Sequence, residues 1–417
     1  MRLALGLALL PGLGTGLLLV LTAGARVPLA IAWPQLAQAH GQIQTLGFVL
    51  VFIVSVGLQL FPRFLGAPLL HPRRATYGAS LISVALIARL VGQPLPAGVL
   101  RTGLLVVAAL GVPAGALLAG SAFHGLSRRS VQPRTGPASA WRRFILVGGL
   151  SLGGALVLFV AAGLALAFGD VVVDQGTDEA LIHLELVGFT ACLIYGVGSR
   201  IFGRFFLLRS GPVFDAWVPR LAAAWGVGLL LVSIGWFVPG QVGAALRLLG
   251  ALFELVVACT WLWLSGLLAP PTRESGTPYV TNPTRRWVRL AFAFLVIGLA
   301  LDVGLFGREV LFGVAPSVTE LSAARHSLAQ GFVLPMMVSM AARLLPIYSA
   351  DALKHPGRLE LTVDVLLLGA LIRVVAEAVG GYEPITGPLI ALGGSLSVAA
   401  FAVFAIGMLS ALRRLPR

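Results

Sequence analysis

Residues 40–66 read HGQIQTLGFVLVFIVSVGLQLFPRFLG. After the histidine the run stays apolar for about six helical turns, enough to cross the hydrocarbon core of a bilayer. A titratable ring at the mouth of such a run calls for a reason. Related wording returns from His183, as HLELVGFTACLIYGVGSRIFGRFF, and from His326, as HSLAQGFVLPMMVSMAARLLPIYS.

The whole chain has the same character. Of its 417 residues, 58% are hydrophobic and 11% charged, against roughly 25% charged in soluble domains. Spans start near Leu3, His40, Thr76, Gly98, Phe144, Glu179, Trp217, Gln241, Val288, Val318, Leu361 and Pro388. The expectation is an all-α integral membrane protein of about twelve transmembrane helices, with residues 1–417 forming a single polytopic membrane domain. The first run ends in the cleavage-like TAGA but is long enough to span, and it is read as the first membrane helix.

The net charge of +14 would suggest nucleic acid in a soluble protein. Here the arginines cluster in short loops after even-numbered spans, as in LSRRSVQPRTGPASAWRR and PPTRESGTPYVTNPTRRW, whereas the loop GDVVVDQGTDEA after span 5 is acidic. By the positive-inside rule both termini lie in the cytoplasm, in a cytoplasmic (inner) membrane, and spans 2, 6 and 10 start at the outer face. The partner is the lipid bilayer, not nucleic acid. Cys192 and Cys259 lie within apolar runs and form no CxxC motif, so neither a disulfide framework nor c-type haem attachment is indicated.

The repeat carries most of the information. His183 follows His40 by 143 residues, and His326 follows His183 by 143 more. Each interval holds four spans, and a Gly-Phe pair follows each histidine (Gly47-Phe48, Gly188-Phe189, Gly331-Phe332). Arg373 follows Arg89 by 284 residues, as Gly331 follows Gly47. Three units of four helices, about 1–140, 141–284 and 285–417, would form a pseudo-threefold bundle. In the first copy Gln42 takes the position of His183 and His326, and His40 stands two residues further from its Gly-Phe pair.

Three histidines in one repeated frame read as ligands for haem iron or copper, which neutral imidazole suits; the bland alternative is capping or an interfacial position. Arg89 and Arg373 either meet the propionates of a haem or reach for headgroups. Glu254, at mid-span, is a proton-carrying candidate, with pairing to an arginine as the alternative. Glu185, Asp302, Asp364 and Glu377 are the other intramembrane acids, Asp364 near a helix end. His71, His124 and His355 read as interfacial, Met336, Met337 and Met340 as packing, and Trp33, Trp141, Trp217, Trp236 and Trp287 as mostly belt residues. Tyr195 and Tyr348 receive no role.

The sequence resembles the NnrS family around spans 2, 6 and 10. The family's early signature, HxHExxFGF followed by an apolar helix ending in proline, is met by HGQIQTLGFVLVFIVSVGLQLFP, with His40 at the first histidine and Gln42 at the second. GSRIFGRFF is similar to GGRVIPxFT without its proline, and HSLAQGFVLPMMVSMAAR to HALTxGxxxxMxLAMxxR. The resemblance implies a membrane protein that contains haem and copper and is linked to nitric oxide metabolism. It is also distantly similar in layout to the large subunit of haem–copper oxidases. That layout places histidines on helices 2, 6 and 10 and uses about six of them as ligands; this chain offers three and no neighbouring pair.

Under this reading His40 and His326 are axial ligands and His183 a third ligand, to a second haem or to copper. Arg89 and Arg373 complete the cofactor-binding set, a soluble electron donor is the further partner, and any turnover is that of an oxidoreductase acting on nitric oxide or a related small molecule. Two other classes stay open. One is a secondary transporter, where repeats and intramembrane carboxylates are also at home. The other is a non-catalytic membrane subunit that binds a redox partner through its basic loops.

Overall fold

The computed structural model describes residues 1–26, 32–126, 128–131, 139–208, 211–270, 282–349, 356–380 and 382–412. Among the described residues the regular structure is helical, as it must be where hydrocarbon leaves backbone polar groups no partner but each other. The helices are α1 (Arg2–Ala23), α2 (Trp33–Leu65), α3 (Arg73–Gly92), α4 (Val99–Ser121), α5 (Arg142–Phe168), α6 (Gln175–Phe205), α7 (Pro212–Gly235) and α8 (Gly240–Ser265). They continue with α9 (Asn282–Phe312), α10 (318–349), α11 (Pro356–Val379) and α12 (Thr386–Leu412). Among the described residues, ten of these helices are long and apolar enough to cross a membrane.

The chain forms two compact units. The first comprises Met1–Leu19, Leu29–Ser139 and Gly149–Glu185; the second comprises Val20–Pro28, Ala140–Gly148 and Leu186–Arg417.

Two of the histidine-bearing helices start earlier than the sequence expectation, α2 at Trp33 rather than near His40 and α6 at Gln175 rather than near Glu179, whereas α10 starts at Val318 as expected. None of the three histidines is the first residue of its helix. His40 lies seven residues after Trp33, and His183 and His326 each eight residues after the first residues of α6 and α10. Each ring therefore sits about 12 Å inside its helix. The extra turns are polar, which hides them from a hydropathy reading, and side-chain caps secure two of their starts. The Asp174 carboxylate accepts from the Thr177 N–H of α6 at 2.9 Å. Ser317 and Glu320 form a reciprocal capping box on α10.

Each of these helices then changes its winding at the same point. A π-helical segment runs over Ile43–Val49 in α2, Leu184–Ala191 in α6 and Ser327–Val333 in α10. Each begins one residue after Gln42, His183 or His326 and contains the Gly-Phe pair. Such bulges insert one residue per turn, re-aim the side chains beyond them and recur at functional sites. The winding thus follows the Gly-Phe frame, in which Gln42 and not His40 corresponds to the other two histidines.

Small residues let consecutive helices approach closely. A Cβ on Gly111 of α4 would lie 2.8 Å from the Ala85 Cβ of α3. On Gly250 of α8 it would lie 2.6 Å from the Gly228 carbonyl of α7, and on Gly393 of α12 2.6 Å from the Gly369 carbonyl of α11. Ala85, Gly228 and Gly369 are 143 and then 141 residues apart, so the close approach recurs with the repeat. Gly250→Leu is expected to destabilise the protein by about 1–3 kcal/mol, because backbone cannot yield as a side chain can. Gly153→Leu, where a Cβ meets nothing within 4 Å, is the control; thermal unfolding in detergent separates the two.

Aromatic rings fill the core of the second unit. Tyr195 lies with its ring centroid 5.0 Å from both Trp225 and Trp261, and Trp261 stacks on Phe292 at 5.3 Å. The phenol to which the sequence assigned no role is thus a packing centre. Trp287 is buried, and its indole N–H donates to Asp364 at 3.0 Å, so it is held by a carboxylate rather than in the lipid belt. Asp364 also takes Arg286 at 2.6 Å with both side chains well exposed. Arg247 bridges to Glu309 at 2.7 Å and lies over the Trp236 ring at 4.5 Å.

Candidate functional site

His326 has the most completely built surroundings. Its Nδ1 lies 3.0 Å from a Glu377 carboxylate oxygen and 2.9 Å from the Ser322 carbonyl, with the Ser322 hydroxyl at 3.0 Å. Two of these neighbours only accept, so the proton belongs on Nδ1 and the Nε2 lone pair is left as a ligand. Among the described residues the hydrogen bonds of His326 run through Nδ1. The side chain keeps 21% of its surface exposed, while Glu377 is fully buried.

Arg373 completes the group. Its Nε donates to the other Glu377 oxygen at 3.0 Å, one helical turn away on α11. A buried carboxylate is costly alone, and here it is shared between a guanidinium and an imidazole. Tyr382, in the turn after α11, also meets Arg373; burial pushes its phenol above the usual range while the guanidinium pulls it back.

The first unit contains the same frame with different chemistry. Residues 284 positions before His326, Glu377, Arg373 and Ser322 are Gln42, Gln93, Arg89 and Gln38. The Arg89 Nε donates to the Gln93 carbonyl oxygen at 3.1 Å, again at i,i+4. The Gln93 amide donates to the Gln38 carbonyl oxygen at 3.0 Å. Gln38 in turn exchanges two hydrogen bonds with the Val173 backbone, at 2.8 and 3.0 Å. Arg89 is 1% exposed, and its guanidinium lies over the Phe159 ring at 5.0 Å. Among the described residues neither terminal nitrogen of Arg89 has a hydrogen-bond partner, and neither does either end of the fully buried Gln42 amide.

His40 points elsewhere. Two residues from Gln42 on an α-helix is roughly 200° away, and its Nδ1 meets the Gly12 carbonyl of α1 at 2.8 Å. Gly16 admits the ring, since a Cβ there would lie 2.5 Å from His40 Cε1. Gly16→Val is expected to cost about 1–3 kcal/mol by expelling the ring. In a His40→Ala background that loss should shrink, a coupling that a double-mutant cycle reads directly.

The remaining expected residues are placed as follows. His183 is half-buried in α6, one residue before its π turn. Glu185 accepts from the Thr45 hydroxyl at 2.5 Å. Glu254 is fully buried on α8, against Gly228, where a Cβ would come within 2.9 Å of its Cγ. Met336 and Met337 are buried packing residues. Tyr348 and His355 lie outside the residues whose side chains are described. Among the described residues no three His, Cys, Asp or Glu side chains gather as a metal-ligating group, so a copper centre of that kind has no donor set there. Sequence reasoning missed the partners Glu377, Gln93 and Gln38; the 284-residue frame that links Arg89 to Arg373 could have found them.

These features define a polytopic helical membrane protein with a carboxylate-oriented histidine inside one helix. No protein-family model matches the sequence, and no curated protein sequence matches it. Among solved structures, a haem–copper terminal oxidase, determined as a dimer by cryo-electron microscopy, is similar in fold with a TM-score of 0.66. The similarity covers 99% of this chain and 82% of that one at 14% sequence identity. The chain therefore has a haem–copper oxidase-like membrane fold.

Proposed function

We propose that the protein is a haem-binding membrane protein of the NnrS type, acting in nitric oxide handling or electron transfer. The observation that carries this reading is His326. Its Nδ1 is fixed by a buried carboxylate and its Nε2 is left for a ligand bond, the arrangement that commonly orients a metal-binding imidazole. The residues of the second unit fit a haem: an oriented imidazole in His326 and an adjacent guanidinium in Arg373.

In this reading His326 would hold the iron, Glu377 would keep the imidazole in one tautomer, and Arg373 would fix Glu377 in place. Arg373 would supply a cation for a cofactor carboxylate, and Arg89, in the first unit, is the other cation candidate. His183 and His40 are the further ligand candidates, and Glu254 the proton-carrying one. Haem, when bound, supplies a redox-active iron that takes small ligands. The three four-helix repeats are proposed to surround one pseudo-threefold axis, with both termini in the cytoplasm of an inner membrane and a soluble electron donor as partner. The residues do not fit a three-ligand copper centre, and no step is assigned to copper.

Two of the buried acids that a transporter reading would use have polar partners in the protein. Glu377 is committed to His326 and Arg373, and Glu185 to Thr45. The test is an optical spectrum with metal analysis on detergent-purified protein, before and after dithionite and nitric oxide. A colourless, iron-free protein from cells supplied with iron and haem precursors would rule the proposal out.

A further inference from the structure

We infer that the first unit holds a separate site for a planar monovalent oxyanion, of the carboxylate or nitrite class, at Arg89 and Gln42. The inference rests on the internal comparison of the two frames and stands whether or not haem binds. Around Arg373 the charges are matched within the protein, because Glu377 accepts from the guanidinium and from His326. Around Arg89 the residue in the place of Glu377 is the neutral Gln93, and the residue in the place of His326 is Gln42. The cation has been kept while the carboxylate one helical turn after it has become an amide.

The consequences are visible atom by atom. Arg89 spends only its Nε, on Gln93. Its two terminal nitrogens remain without hydrogen-bond partners in a side chain that is 1% exposed. Gln42 lies one helical turn beyond Gln38 and so on the same face of α2, the face from which Gln38 reaches the Gln93–Arg89 pair. Its amide too is without a partner at both ends. Buried donors left unmade are expensive, and a guanidinium presents paired N–H groups that match a planar oxyanion. A bound oxyanion would thus supply from outside the charge that Glu377 supplies from within.

Two acids face the same guanidinium from α6. Asp178 and Glu185 act on Arg89 through their charge, but neither hydrogen-bonds its terminal nitrogens, and Glu185 is held by Thr45.

The probes are radiolabelled formate and nitrite, in equilibrium dialysis with the purified full-length protein. Gluconate at equal ionic strength serves as a control too large for a buried site. Wild-type protein should bind one formate per chain, saturably and without competition from gluconate. Arg89→Gln should weaken binding about tenfold or more, as expected for loss of a charge-assisted pair. Gln42→Leu should weaken it with little change in thermal stability, which guards against misfolding of the arginine variant.

The oxyanion has a second source, a carboxylate carried by a bound cofactor. In that case haem-loaded protein excludes formate, and haem dimethyl ester binds wild-type protein more weakly than haem does but binds Arg89→Gln no more weakly than haem does. A wild-type protein with no saturable formate or nitrite site, and no ester sensitivity that depends on Arg89, overturns the inference. A protein that binds formate but no haem upholds it while refuting the proposed function.

Discussion

Purified in detergent from cells supplied with iron and haem precursors, the protein is expected to show a Soret band that His326→Ala abolishes. The variant removes the imidazole whose Nε2 is left open while Glu377 and the Ser322 carbonyl hold Nδ1. Glu377→Gln should behave differently. The glutamine oxygen can still accept from Nδ1–H, so the band should persist, but the ligand becomes less basic and cofactor affinity falls about 10–100-fold. His124→Ala, at the far end of α4, should leave the spectrum unchanged. A His326→Ala protein with the wild-type spectrum and haem content would remove His326 from the ligand set.

The second large effect is on stability. Glu377→Ala is expected to cost about 3–5 kcal/mol, because it leaves the Arg373 guanidinium and the His326 ring without their shared carboxylate. Glu377 is 1% exposed, so water does not replace it. The loss belongs to the broken network rather than to the acid alone. Removing both charges, as in Arg373→Leu with Glu377→Leu, should therefore recover much of it, since well-packed apolar residues often substitute for a buried ion pair. Unfolding in mixed micelles would measure the cycle. A double variant as unstable as the sum of the single ones would mean that the two side chains act independently.

Much of the architecture was legible in order of sequence. Hydropathy found all twelve helices, because in hydrocarbon the backbone has to satisfy itself within each segment. The 143-residue spacing marked α2, α6 and α10, and the 284-residue frame joined Arg89 to Arg373. Helix starts were less legible. The first turns of α2 and α6 are polar, and an apolar-run reading skipped them, which put the histidines at helix mouths instead of two turns inside. Trp287 looked like a belt residue and is instead a buried donor to Asp364, a difference that depends on which way α9 is rotated.

What the sequence alone determined is the class of protein, the helices and the repeated frame, since all three follow from local composition and spacing. Only the tertiary structure decided how the frame is used. It wound each histidine helix into a π turn, gave His326 the carboxylate of Glu377, turned His40 toward Gly12, and left Arg89 with neutral neighbours in Gln93 and Gln38. These choices depend on the rotation of helices that are apolar on most of their surface. Such helices carry little directional signal in their periodicity, so the partner of a buried polar group is set by packing between helices and not by the segment that contains it.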